Sequence, residues 1–125
     1  MDDNSKINNI INLYFDSMYE SNEQLVKKVF HSDAKITGYV GNNLLSMDRN
    51  EFASFVGDQQ PSAFSKKDPK ILEVVLLKVV GNTAVALVRD DYLGNTYLDT
   101  LSFIKINEED IMEIPDIINK AEIHI

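Results

Sequence analysis

Apolar side chains recur at Ile7, Ile10, Ile11, Tyr14, Phe15 and Met18, steps of three and one that set them on a single stripe of an α-helix. Asp2, Asp3, Asn4 and Ser5 ahead of the stripe offer caps, and their acids suit the positive end of the helix dipole. A second, shorter helix is predicted from about Asn22 to Val29, with Leu25, Val26 and Val29 facing inward. Asp48 followed by Glu51 has the spacing of a capping box and predicts a third helix carrying Phe52, Phe55 and Val56. Between the second and third helices, Ala34 to Val40 and Leu44 to Met47 flank Gly41-Asn42-Asn43, which reads as a hairpin. Asp58 to Pro69 holds Gln59-Gln60-Pro61-Ser62 and Asp68-Pro69 and reads as a loop or flap.

After the flap the pattern changes. Ile71 to Val80, Thr83 to Tyr92 and Thr96 to Ile106 are rich in β-branched and aromatic residues, and Gly81-Asn82 and Gly94-Asn95 separate them. They predict a three-strand meander, followed by a charged stretch, Asn107 to Asp110, and a final extended segment, Ile117 to Ile125. Helices first and a long antiparallel sheet second argue for a single α+β domain over residues 1–125, its helices covering one face of a curved sheet.

Taking each Gly-Asn pair as a two-residue hairpin loop fixes the registers by counting. Tyr92 then opposes Tyr97, Asp90 opposes Asp99, Val88 opposes Leu101 and Ala86 opposes Phe103. On the other side Val79 opposes Ala84, Leu77 opposes Ala86, Val75 opposes Val88 and Glu73 opposes Asp90. The face carrying Val75, Leu77, Val79, Ala84, Ala86, Val88, Leu101 and Phe103 is the most apolar and should meet the helices. Leu72, Val74, Leu76, Val85, Leu87, Leu98 and Ile104 should lie on the outer face, where so much apolar area marks a protein contact.

The inner face also collects Glu73, Asp90 and Asp99 at one level, with Tyr92 and Tyr97 just beyond. Like charges at that separation destabilise a sheet unless something compensates. Three compensations compete: a shared proton that leaves one carboxyl neutral, a calcium or magnesium ion among the oxygens, or a β-bulge that turns one acid to the other face. No metal site is assigned.

Charge and composition narrow the partners. A formal net charge of −8 opposes nucleic-acid phosphate and anionic lipid, and the adjacent basic pairs Lys27-Lys28 and Lys66-Lys67 are too short for a phosphate-binding track. No apolar run approaches the roughly 20 residues of a membrane span. The first residues lack a secretory pattern, and the chain holds no cysteine, which excludes disulfides, thiolate nucleophiles and cysteine zinc sites; both point to the cytoplasm. His31 sits at the predicted end of the second helix, where it either faces the helix C-terminus or serves chemistry, and His124 reads as solvent-exposed. There is no Ser/His/Asp triad, Gly-rich phosphate loop or His-rich metal motif, and no cofactor is called for.

Tyr14-Phe15-Asp16, Leu25, Phe30-His31-Ser32-Asp33-Ala34-Lys35-Ile36 and Gly38-Tyr39, in this order, resemble the opening of the nuclear transport factor 2-like (NTF2-like) superfamily, in its putative lumazine-binding and SnoaL-like branch. Glu51-Phe52, Gly81-Asn82-Thr83-Ala84-Val85-Ala86, Tyr92-Leu93-Gly94 and Tyr97 through Ile106 are similar to that family's meander. The resemblance implies a cone-shaped, cystatin-like roll with an internal cavity, paired as a homodimer through the outer sheet face. Its relatives include ketosteroid isomerase, scytalone dehydratase, polyketide cyclases and non-catalytic carriers, so fold leaves function open. Such proteins usually close with a Gly-x-Trp turn, whereas this chain has no tryptophan and inserts Glu108 to Ile114 before Pro115.

These readings converge on a pocket protein for a small organic ligand. In an isomerase, dehydratase or cyclase, Asp99 or Asp90 would move a proton, and His31 or a tyrosine would donate to developing negative charge. Tyr14, Tyr39, Glu73, Tyr92, Tyr97 and Phe103 are the candidate ligand contacts. In a carrier or sensor the same acids would only orient the ligand.

Overall fold

The computed structural model describes residues 3–40, 42–92, 94–105 and 112–122, with 40 and 112–122 described by backbone alone. Asn107 to Asp110 and His124 therefore lie outside the described residues. Helix α1 (Asp3–Tyr19) buries Ile7, Ile11, Tyr14, Phe15 and Met18, the stripe predicted from spacing. Fully burying an aliphatic or aromatic side chain contributes about 1.5–3 kcal/mol, so this stripe anchors the helix far more strongly than propensity does. Helix α2 (Glu23–Val29) is capped by Asn22, whose side chain accepts from the Leu25 amide at 3.1 Å. Helix α3 (Arg49–Gly57) starts at the predicted capping box, with Asp48 and Glu51 satisfying each other's backbone amides. The flap contains one short helix, α4 (Ala63–Lys66).

The strands are β1 (Phe30–Val40), β2 (Asn43–Asp48), β3 (Leu72–Val80), β4 (Thr83–Tyr92), β5 (Asn95–Lys105) and β6 (Met112–Glu122). They form one sheet in the order β2-β1-β6-β5-β4-β3. Every neighbouring pair is antiparallel except β1 and β6, which run parallel. Register breaks in β1, β3 and β5 bend the sheet around the helices, as bulges do in curved sheets. The core lies in the concavity, where Phe30 packs edge-on against both Tyr14 and Phe52 at centroid distances of 5.8 and 5.7 Å.

Two details of register decide where the acids go. At the β4–β5 turn Tyr92 pairs with Asn95, so Asn95 belongs to the strand and not to a Gly94-Asn95 loop, and Gly94 takes the left-handed φ of +84°. The counted register is thus displaced by two residues: Asp99 opposes Val88, and Asp90 opposes Tyr97. A displacement of two keeps every side chain on its predicted face. In β3 a bulge falls between Val74 and Leu76, and there the displacement is one residue. Glu73 consequently pairs with Arg89 on the outer face, and Leu72 pairs with Asp90 on the inner one. Leu72 thus leaves the predicted outer set, while Val74 and Val75, at the bulge, are 40 and 45% exposed.

Candidate functional site

Helix α1 aims Tyr14 down into the cone, where its hydroxyl donates to Asp99 Oδ2 at 2.6 Å. Ser17, one turn on, donates to the Tyr14 carbonyl at 2.6 Å and braces this part of the helix. Tyr14 is completely buried and Asp99 is 1% exposed, so the contact is made in an environment of low dielectric. Asp90, on the neighbouring strand and one step along the diagonal, has no exposed surface at all. Both Asp90 oxygens and Asp99 Oδ1 receive no donor from the rest of the described protein.

Two carboxyls so placed cannot both hold a charge. Burial first, then the Asp99 charge and the hydrogen bond to Asp99, push the Asp90 carboxyl up to about 9. Burial also lifts Asp99, to about 6, but donation from Tyr14 and from Asp90 restrains the rise. The two carboxyls therefore share one proton near neutral pH, held chiefly on Asp90. Asp99 carries the single negative charge and takes the Tyr14 hydrogen bond. Tyr14 stays a neutral donor, because burial and then the Asp99 charge raise its hydroxyl well above the usual phenol range.

Asp99 opens onto a cavity of about 280 Å³. Tyr14, Met18, Ile36, Met47, Phe52, Phe55 and Val56 supply an apolar wall, and Tyr39, Gln59, Tyr92, Asn95 and Tyr97 add polar tips. Tyr92 is 8% exposed, its pKa is pushed up to about 12 by burial, and its hydroxyl has no partner at hydrogen-bonding geometry. Its polar neighbour Ser21 gives its own proton to the Gln59 carbonyl at 2.6 Å. That bond ties the start of the flap to the end of α1, and Tyr19 donating to the Asp68 carbonyl at 2.7 Å ties the other end.

The structure brings together Tyr14, Asp90, Asp99, Tyr92 and Tyr97, and leaves Tyr39 at the cavity rim, 48% exposed. Phe103 is core, behind the cavity rather than on its wall. Glu73 is a correction: the bulge turns it outward, where it pairs with Arg89 at 3.0 Å. His31 does not line the cavity. Strand β1 already begins at Phe30, whose buried ring sets the alternation, and His31 Nδ1 accepts the Asp33 amide at 3.0 Å. Met18, Met47, Phe52, Phe55, Gln59 and Asn95 are wall residues that sequence reasoning did not assign to a site. The signal for Phe52 and Phe55 existed, since helical spacing turns both inward, but in sequence a pocket wall and a core look alike. Among the described residues no group of three or more histidine or acidic side chains is arranged to hold a metal ion, and no helix is long and apolar enough to cross a membrane.

The family model described as "Putative lumazine-binding" matches residues 2–112. An NTF2-like protein of unknown function from Silicibacter pomeroyi superposes with a TM-score of 0.83 at 17% identity, over 94% of each chain. A second NTF2-like protein of unknown function, from Methylobacillus flagellatus, gives 0.84 at 19% identity over 98% of this chain and 94% of the other. A third, from Shewanella baltica, gives 0.81 at 18% identity over 96% and 94%. No curated protein matches the chain. Identities this low speak for the fold alone, and they agree on the α+β cone.

Proposed function

The chain belongs to the family described as putative lumazine-binding and has the NTF2-like fold, and from that premise we propose that its cone encloses a compact organic ligand anchored on Asp99. The observation that carries this reading is a carboxylate 1% exposed on a cavity wall, with one oxygen that no protein group satisfies. A buried polar atom without a partner costs roughly 1–3 kcal/mol, which an N–H or O–H from a ligand would recover. The volume lies at the small end of ligand sites, which span about 300–1,000 Å³. The rings and thioethers of the wall suit a flat molecule, and the family's label names a flat, N–H-bearing bicycle.

The test is fragment screening by ligand-observed NMR on the native protein and on Leu45→Trp, which fills the cavity from β2. Fragments that bind the native protein should be lost from the variant. Equal binding to both would end the pocket reading.

A second reading, proton transfer, draws on the proton shared by Asp90 and Asp99, since a neutral acid beside an ionised one is how sites hold an acid and a base at one pH. Asp99 would act as the base and Tyr14 as a hydrogen-bond donor. Deuterium from heavy water should then enter a bound ligand at its acidic carbon, and Asp99→Asn should stop this. Return of the ligand unlabelled favours a carrier. On the outer face, Leu76, Val80 and Ile104 are 53, 62 and 42% exposed, an apolar strip that suits a second copy of the chain. Light scattering should give a dimer mass at micromolar concentration; a monomer would contradict this.

A further inference from the structure

We propose that the pocket's ligand is a compact aromatic nitrogen cation, of the amidinium or aryl-ammonium type, docked with its charge on Asp99 and its ring against Phe52, Phe55 and Tyr97. This rests on the pocket reading and narrows it to a chemical class. Among the described residues no lysine, arginine or histidine lines the cavity to receive a carboxylate or a phosphate. Among the described residues the one charged group on the wall is Asp99, which takes a hydrogen bond from the neutral Tyr14 hydroxyl at 2.6 Å. A carboxylate offers about four lone-pair sites. Tyr14 fills one at Oδ2, and Oδ1 has no donor from the described protein.

A neutral N–H would satisfy the open lone pairs but leave the buried charge uncompensated. A cation does both, because it satisfies the lone pairs and also pairs the buried charge. The surrounding faces of tyrosine and phenylalanine attract cations as well. Tyr92, 8% exposed and without a partner, presents hydroxyl lone pairs to a second N–H of the same ligand. Outside the pocket, the formal net charge of −8 draws cations toward the protein and repels anions.

Benzamidine, benzamide and benzoate have nearly one shape and carry charges of plus one, zero and minus one. Titrated calorimetrically at pH 7 and low salt, benzamidinium should bind at least tenfold more tightly than benzamide, and benzoate should not bind. Asp99→Asn should erase the preference, while Glu73→Gln, which removes a carboxylate on the outer face, should keep it. Benzamide binding as tightly as benzamidinium, or a preference that survives Asp99→Asn, overturns the assignment and leaves the pocket standing. If none of the three binds while other fragments enter in the Leu45→Trp comparison, the cationic class alone fails. If nothing enters in either experiment, both readings fall.

Discussion

Replacing Asp90 by Asn removes the one buried group whose titration crosses the neutral range, and its effect on stability can be worked out before any measurement. In the folded protein Asp90 keeps its proton up to about pH 9, whereas an unfolded chain releases it near the ordinary aspartate value of 3.8. Below pH 4 both states hold the proton and the group favours neither. Between roughly pH 4 and 9 the unfolded chain ionises while the folded one does not, so stability declines as pH rises, by about 1.4 kcal/mol per unit for one proton. Asp99 adds a similar decline that is complete near pH 6. Between pH 6 and 8 Asp90 is therefore the main remaining source, and the native protein should lose roughly 3 kcal/mol across that window.

Asn has the shape of the neutral acid and can still donate to Asp99, so Asp90→Asn should fold and its profile should be nearly flat over the same window. Urea unfolding at pH 6, 7 and 8 reads the difference directly. With a denaturant slope of about 1–3 kcal/mol/M, the native midpoint should fall by roughly 1 to 3 M while that of the variant holds. Background electrostatics and any histidine titration are common to both proteins and cancel in the comparison. Parallel profiles for the two proteins would refute the shared-proton arrangement.

Tyr14→Phe removes the donor to Asp99 Oδ2 and should cost about 1.5–3 kcal/mol, the usual worth of a hydrogen bond to a charged group. The Asp99 carboxyl should also titrate at higher pH by carbon-13 NMR, and an unmoved titration would show that the 2.6 Å contact does not exist in solution. Glu73→Gln breaks only a surface pair whose side chains are 61 and 44% exposed, so stability should change by less than about 1 kcal/mol and ligand binding not at all. Loss of binding in that variant would return Glu73 to the cavity and remove the bulge.

The helical half was legible because its signals are local. Each inward residue of α1 sits a helical step from the last, and the Asp48–Glu51 box names its own partner amides. The strands themselves were legible from their turns, but their pairing was not fully so. At the β4–β5 turn, Gly94-Asn95 and Leu93-Gly94 are both acceptable two-residue loops, and nothing in the flanking residues separates them. In β3 the run Val74-Val75-Leu76-Leu77 is apolar throughout, so no alternation with polar residues marks where a one-residue slip occurs. One clue was available: only the bulged register sets Glu73 opposite a basic residue, Arg89. The parallel pairing of β1 with β6 joins the two ends of the chain and leaves no local trace.

These two irregularities have unequal consequences, and the site depends on that inequality. A slip of two moves an acid along its own face, and it converts Asp90 and Asp99 from directly opposed charges into diagonal neighbours that can share one proton. A slip of one moves an acid through the sheet, and it removes Glu73 from a cluster that three carboxyls would have left with at least one more charge to neutralise. Two acids, one proton and a tyrosine donor leave a single negative charge at the floor of an apolar cavity. That charge is set by backbone register as much as by residue identity. The bulge beside Val75 should therefore matter to binding although it touches no ligand: straightening it would carry Glu73 back inward and place a second carboxylate beside Asp90.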